Sequence, residues 1–235
     1  IKTLPAKRQN LLFSATMPEK IRQLAKKILH EPVEINIAIS KPPEKIIQKA
    51  FVVYEPQKLP LIKKLLKETP YKNALVFCSR KQTVKQLTRE LKHGGINVSE
   101  IHSDLLQAER ESTLSAFTAG RIPVLVATDI LSRGIDIDTI DVVINYDVPG
   151  DGEDYVHRIG RTARAEADGA AFTLIGEKEQ NKFAAIEQLL GKEVEKSEVP
   201  KELGEAPSYH PRIRSGSSGN RSPQKKFYRG APKRR

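Results

Sequence analysis

The sequence holds one cysteine, one methionine and no tryptophan in 235 residues. A single cysteine excludes an internal disulfide framework and any cysteine-built metal cluster. Cys78 lies inside an apolar run, which predicts a buried, inert thiol. No stretch approaches the roughly 18 apolar residues needed to span a bilayer. No secretory signal pattern is visible, so a cytoplasmic location without a membrane partner is expected. The chain also lacks a Gly-x-x-x-x-Gly-Lys-[Ser/Thr] phosphate loop. It has no paired-acid motif to hold Mg²⁺ and activate water. Any nucleotide chemistry here therefore belongs to half of a composite site, because nothing cradles a triphosphate. The opening Ile1-Lys-Thr-Leu-Pro5 has no initiator methionine, and the expectation is a chain cut from something longer.

Basic residues are abundant. The formal charge is +11 and the isoelectric point is near 9.6, a balance that points to a polyanionic partner. The apolar fraction of 38% is low for a wholly globular chain and suggests a folded core with a polar tail. Beyond Glu205 no acidic residue occurs, while Arg212, Arg214, Arg221, Lys225, Lys226, Arg229, Lys233, Arg234 and Arg235 do. Tyr209, Phe227 and Tyr228 are interspersed. From residue 192 onward such a segment is expected to be disordered, because it buries too little apolar area to offset its ordering. It suits nucleic-acid tethering, with cations for phosphates and aromatics for base stacking. A solubilising tail is the alternative.

The periodicity alternates between strand and helix. Residues 10–16 read as a short strand, 18–30 as a helix and 33–37 as a second strand, a piece too small to bury its own apolar faces. Ser40-Lys-Pro-Pro-Glu-Lys45 reads as a linker. Strands are then expected over 48–54, 74–79, 98–102, 124–128, 141–146 and 170–175. Helices are expected over 57–68, 80–93, 107–119, 153–163 and 177–190. Ser79-Arg-Lys-Gln82 fits a capping box and Gly94-Gly95 a helix stop. Repeated strand–helix units with continuous Val/Ile/Leu/Ala strands imply an α/β fold with an open, mainly parallel sheet covered by helices on both faces.

Polar residues gather where those strands end. Ser79-Arg80-Lys81, His102-Ser103-Asp104, Thr128-Asp129 and Asn145-Tyr146-Asp147 each follow an apolar run. Ligands of open parallel sheets collect beyond the carboxyl ends of the strands. Four polar ends in succession favour a shared binding edge over chance capping. Thr128 is either a hydroxyl donor to phosphate or a turn hydroxyl. Gly134 permits a close backbone approach, and Asp136 is either a ribose acceptor or a turn acceptor. His102 and His157 lack partners at metal-ligand spacing.

The stretch Tyr155-Val-His-Arg-Ile-Gly-Arg-Thr-Ala-Arg164 carries His157, Arg158, Arg161 and Arg164 within eight residues. On a continuous helix, 157, 161 and 164 share a face. Such a face meets either carboxylates or an anionic ligand, and arginine's planar fork suits phosphate.

Four motifs, taken together, resemble the DEAD-box RNA helicases in order and spacing: Ser14-Ala-Thr16, Leu75-Val-Phe-Cys-Ser-Arg80, Val126-Ala-Thr-Asp129 through Arg133-Gly-Ile-Asp136, and His157-Arg-Ile-Gly-Arg-Thr-Ala-Arg164. The likeness covers about residues 1–190, and the wording is most similar to the bacterial RhlE-type subgroup. The resemblance implies a domain plan. Residues 1–37 would end a first RecA-like domain, 38–46 would link, 47–191 would form the second RecA-like domain, and 192–235 would be the basic RNA-binding tail. It implies ATP with Mg²⁺ as cofactor, the metal ligands lying in the preceding domain. Gly134, Asp136, Arg161 and Arg164 would contact ATP, with Arg161 and Arg164 catalytic and Arg164 the arginine finger. Arg80, Ser103, Gln107, Arg110, Thr128 and Asp129 would lie along RNA. Ser14, Thr16 and His157 would couple nucleotide state to strand separation. The implied activity is local, ATP-driven unwinding of RNA without sequence preference, and this chain alone would lack ATPase. Ribosomal precursors or the RNA-degradation machinery are the wider partners implied. A non-catalytic RNA-binding module on the same fold is the alternative. Ala163 stands where many members have glycine.

Overall fold

The central strands are apolar at every position because both faces of the sheet are covered. The four residues of β2 (Ala74–Phe77) illustrate this. Ala74 and Val76 join one core cluster, while Leu75 and Phe77 join another on the opposite face. The computed structural model describes residues 4–5, 7–14, 17, 19–35, 46–129, 140–162 and 169–211.

In chain order the elements are α1 (Glu19–Ile28), β1 (Ile46–Val53), α2 (Glu55–Glu68), β2, α3 (Lys81–His93), β3 (Val98–Ile101), α4 (Gln107–Thr118) and β4 (Val124–Ala127). Then follow β5 (Val142–Asn145), α5 (Gly152–Ile159), β6 (Gly169–Gly176), α6 (Gln180–Leu190) and β7 (Glu195–Lys196). The seven strands form one sheet in the order β3-β4-β2-β5-β6-β1-β7. Every pairing is parallel. On one face, Leu61, Ile62 and Leu66 of α2 and Val84, Leu87 and Leu91 of α3 complete a continuous core. The other face carries two clusters. Tyr155, Val156 and Ile159 of α5 with Phe183, Ile186 and Leu190 of α6 build one, and Phe117 of α4 belongs to the other.

Several expectations are corrected. The helix expected over 153–163 ends at Ile159. Gly160 closes it, and a Cβ there would lie 2.9 Å from the Val156 carbonyl. Thr162 then forms a parallel bridge with Ile140, so Arg161 lies beyond the helix and does not share a helical face with His157, while Arg164 lies outside the described residues. The capping box at Ser79 is also absent. α3 starts one residue later with Arg80 at its N-cap, and the Ser79 amide is taken by Asp147 Oδ2 at 2.8 Å. Gly94 and Gly95 do end α3, the latter at φ +78°.

The N-terminal piece is a lone amphipathic helix. α1 forms as its spacing predicts, yet none of its residues is buried. The strands expected over 10–16 and 33–37 are not formed among the described residues. An isolated strand has no partner for its amides, and Phe13, Val33 and Ile35 are more than four-fifths exposed.

The disorder expected from residue 192 onward is not found over residues 192–211. Val194 is buried, and β7 adds to the edge of the sheet beside β1. Val199 and Leu203 pack on the α2–α3 face, whereas Tyr209 packs on the α5–α6 face. Side-chain amides hold this strap. Gln57 Nε2 donates to the carbonyls of Leu203 and Glu205, both at 2.9 Å. Gln180 donates to Ser208 O at 2.9 Å and accepts from His210 N at 2.7 Å. Spaced apolar anchors and backbone capture order the strap without any regular periodicity, which is why the pattern dissolves at 192 while the structure continues to 211. Residues 212–235 lie outside the described residues.

The candidate RNA and nucleotide edge

The parallel topology brings the four polar strand ends to one edge, and hydrogen bonds stitch them together. Cys78 N donates to Ala127 O at 2.9 Å, Tyr146 N to Phe77 O at 2.9 Å and Thr128 N to Ile101 O at 3.3 Å. Beneath this edge lies a buried cationic node. Lys58 is 2% exposed and reaches Glu55 at 3.1 Å, Asp147 at 3.5 Å and Glu179 at 3.5 Å. Its ammonium also sits 5.2 Å from the centre of the Tyr146 ring. Burial alone would lower the Lys58 pKa, but Glu179 and Asp147 outweigh it and the net shift is upward.

A second buried cation organises the opposite face. Arg158 is 1% exposed. Its Nε and Nη2 donate to Asp129 Oδ1 and Oδ2 at 2.7 and 2.9 Å. Nη1 donates to Asn145 Oδ1 at 3.1 Å and Asp147 O at 3.3 Å. The guanidinium lies 5.1 Å from the Phe77 ring centre. Asn145 in turn donates to Thr173 at 3.2 Å. Of the four cationic residues read as one group, Arg158 is therefore structural and paired with a carboxylate. Its burial could have been found in the sequence: Tyr155, Arg158 and Ile159 fall at i, i+3 and i+4 of one buried stripe. Lys58 lies likewise on the stripe of Leu61 and Ile62.

The expected RNA residues sit along the carboxyl edge in different states. Arg80 is exposed at the start of α3. Ser103 is exposed, and its carbonyl accepts from Arg110 Nη2 at 3.0 Å, while Arg110 Nε donates to Leu105 O at 3.1 Å. Arg110 thus braces the β3–α4 loop. Gln107 is exposed and donates to Glu111 at 2.8 Å. Thr128 differs from the other expected RNA residues: its Oγ1 is buried and has no hydrogen-bond partner among the described residues. A buried hydroxyl left unpaired is costly, and this one lies at the strand end where a ligand oxygen would be met. Asp129, beside it, is committed to Arg158. His157 is half-buried in the last turn of α5.

The expected nucleotide contacts are less completely described. Arg161 is half-buried just past α5, its amide donating to Arg158 O at 3.2 Å and its carbonyl accepting from Ile140 N at 3.3 Å. Gly134, Asp136, Arg164 and Thr16 lie outside the described residues. Ser14 is exposed in the N-terminal piece. Among the described residues, no group of three or more His, Cys, Asp or Glu could hold a metal ion. Among the same residues, no helix is long and apolar enough to cross a membrane.

Residues 57–166 match the helicase conserved C-terminal domain. The DEAD-box protein SrmB of Escherichia coli, solved bound to regulator of ribonuclease activity A, is 32% identical with a TM-score of 0.62. That match covers 68% of this chain and 96% of the SrmB chain. The chain belongs to the DEAD-box RNA helicases. Its wholly parallel sheet is the RecA-like fold of their C-terminal domain. Dbp5 of Saccharomyces cerevisiae, solved bound to RNA and ADP BeF3, is 33% identical with a TM-score of 0.73, over 85% of this chain and 53% of that one. The ATP-dependent RNA helicase CshA of Listeria monocytogenes is 41% identical over 201 residues, 85% of this chain and 39% of the relative. The helicase chain described here thus spans well under half the length of the curated relatives it matches.

Proposed function

We propose that this chain supplies the RNA-gripping and nucleotide-completing half of an ATP-dependent RNA helicase, acting with a RecA-like domain that precedes it in the full-length protein. In motif wording we read it nearest the bacterial RhlE-type members. The observation that carries the RNA reading is the buried hydroxyl of Thr128 at the carboxyl edge, which has no hydrogen-bond partner among the described residues. RNA would satisfy it through a phosphate or 2′-hydroxyl oxygen, while Arg80 neutralises an adjacent phosphate. Contacts of this kind select RNA without reading its sequence.

ATP would bind between the two domains. Arg161 and Arg164 would face the γ-phosphate and stabilise the charge that develops on it, a contribution of roughly 10³–10⁵ in rate where an arginine is supplied across a site. Asp136 would accept from the ribose beside Gly134. Mg²⁺ would neutralise phosphate charge, held by groups of the preceding domain. The Arg158–Asp129 pair would hold the RNA-side strand end and the arginine-bearing segment in fixed relation. Domain closure would then bend the bound strand along a path that a duplex cannot follow.

RNA-stimulated ATP hydrolysis, measured with the preceding domain restored, tests this. Arg164→Ala and Arg161→Ala should each abolish turnover and leave RNA affinity within about twofold. Unchanged hydrolysis in Arg164→Ala would refute the finger, and a functional chain with no ATPase at all would favour a non-catalytic RNA-binding module.

A further inference from the structure

Two lysines at the carboxyl edge are used by none of the contacts above. Lys81 and Lys85 stand one turn apart at the start of α3 and both reach across to Asp104 in the β3–α4 loop. Lys81 Nζ lies 2.7 Å from Oδ1 and Lys85 Nζ 2.9 Å from Oδ2. One carboxylate thus serves two ammoniums, one oxygen each. Among the described residues it is the only carboxylate with which either lysine pairs. Arg80, directly before Lys81, is exposed, and the first turn of α3 contains no acidic residue. The helix N-terminus adds its own partial positive charge.

The loop does not need these ion pairs to keep its shape. Arg110 holds the carbonyls of Ser103 and Leu105, and the Asp104 amide donates to His102 Nδ1 at 3.2 Å. What the carboxylate adds is charge. Its side chain is 37% exposed and those of the lysines 47% and 42%. Water screens pairs of this kind and leaves them weakly held. A phosphate can therefore take the carboxylate's place.

We propose that Lys81 and Lys85 are RNA-phosphate ligands held in check by Asp104, which occupies them when RNA is absent and repels the phosphate that replaces it. The corner formed by Arg80, Lys81 and Lys85 then grips RNA more weakly than its three cations alone would, and the strand leaves more readily. An aspartate is already ionised at any pH near neutrality, so the check stays in force there. The inference rests on the reading of this edge as the RNA track, and the experiment separates the two.

The test is fluorescence-anisotropy titration of the 235-residue chain with single-stranded oligouridine RNA at several salt concentrations. Asp104→Asn keeps the shape and removes the charge. It should bind about 3–10-fold more tightly near 0.1 M salt. The slope of log affinity against log salt should steepen by up to about 1.4, two phosphates at roughly 0.7 each. Adding Lys81→Gln and Lys85→Gln to that variant should cancel both gains. Lys85→Gln alone in the native chain should weaken binding about twofold and flatten the slope, a readout that stands if Asp104→Asn fails to fold. Arg80→Gln tests the underlying reading: unchanged affinity there refutes the edge as an RNA track. If Arg80→Gln weakens binding but Asp104→Asn leaves affinity and slope unchanged or lower, the check is refuted and Asp104 serves the loop instead.

Discussion

The guanidinium of Arg158 grips the Asp129 carboxylate with two parallel hydrogen bonds of 2.7 and 2.9 Å. This pair ties the end of β4 to α5. One end of it adjoins Thr128, and the other lies three residues before Arg161. Two segments expected to meet different ligands are thereby joined by one bidentate contact, in a seam that also includes Asn145 and Thr173.

Arg158→Met should destabilise the fold by about 2–4 kcal/mol. The change leaves Asn145 Oδ1 buried without its donor and Asp129 without its fork, and losses of this kind carry such costs. Asp129 is 41% exposed and can turn to water, which keeps the loss below that of an enclosed pair. Arg158→Lys should recover less than half, because an ammonium cannot make the paired contact. Urea unfolding with an unchanged slope is the measurement, and a loss under about 1 kcal/mol would show that the seam does not brace the fold.

Stability should fall in alkali, beginning near pH 9. The Cys78 thiol is pushed well above its ordinary 9.0 by burial first and by Asp147 second. Burial pushes up the phenols of Tyr146 and Tyr155, and Lys58 ends above its ordinary 10.5. In each case the folded protein keeps a proton that the unfolded chain releases. Their stabilisation is complete below the unfolded values and drains as pH rises towards the folded ones, by about 1.4 kcal/mol per pH unit for each fully titrating group. Cys78→Ala should delay the onset from about pH 9 to about pH 10, read as urea midpoints across pH 7.5–11. An onset that does not move would remove the thiol from this account.

Periodicity carried most of the fold, since strands covered on both faces and helices with one apolar stripe each leave a plain signature. Six of the seven strands and five helices beyond α1 fall close to their expected places. Periodicity could not show where α5 stops, because that depends on the close approach of Gly160 to the Val156 carbonyl. It also missed the strap, whose anchors are single residues held by Gln57 and Gln180 from distant parts of the chain. In the site, the types and order of the residues at the strand ends were legible. Which cation is buried in the seam was not, because Arg158 and Arg161 look alike until tertiary packing buries the first and ends the helix before the second.

Truncation should separate the strap from the segment beyond it. Removing residues 212–235 should leave thermal stability unchanged and weaken RNA binding at low salt, since it deletes nine cations. Removing residues 194–235 should cost about 3 kcal/mol or more. It exposes Phe183, which Tyr209 meets edge-on at 6.5 Å, and it leaves Glu187 without the Tyr209 hydroxyl and Lys196. Each large side chain uncovered costs on the order of 1–3 kcal/mol. Equal melting temperatures for the two truncations would refute the strap as part of the domain, and equal RNA affinity for the full chain and 1–211 would refute the tether.

Thr128→Val should divide stability from function most cleanly. The hydroxyl is buried and makes no hydrogen bond among the described residues, so replacing it with a methyl of similar size removes a desolvation cost and no described contact. Unfolding free energy should stay the same or rise by up to about 1 kcal/mol. If the hydroxyl exists to meet an RNA oxygen, affinity for single-stranded RNA should fall about 3–10-fold, as expected for the loss of one ordinary hydrogen bond. A turn hydroxyl would behave in the opposite way, lowering stability and sparing RNA. Paired urea unfolding and RNA titration of this one variant therefore decide between the two roles that the residue type alone leaves open.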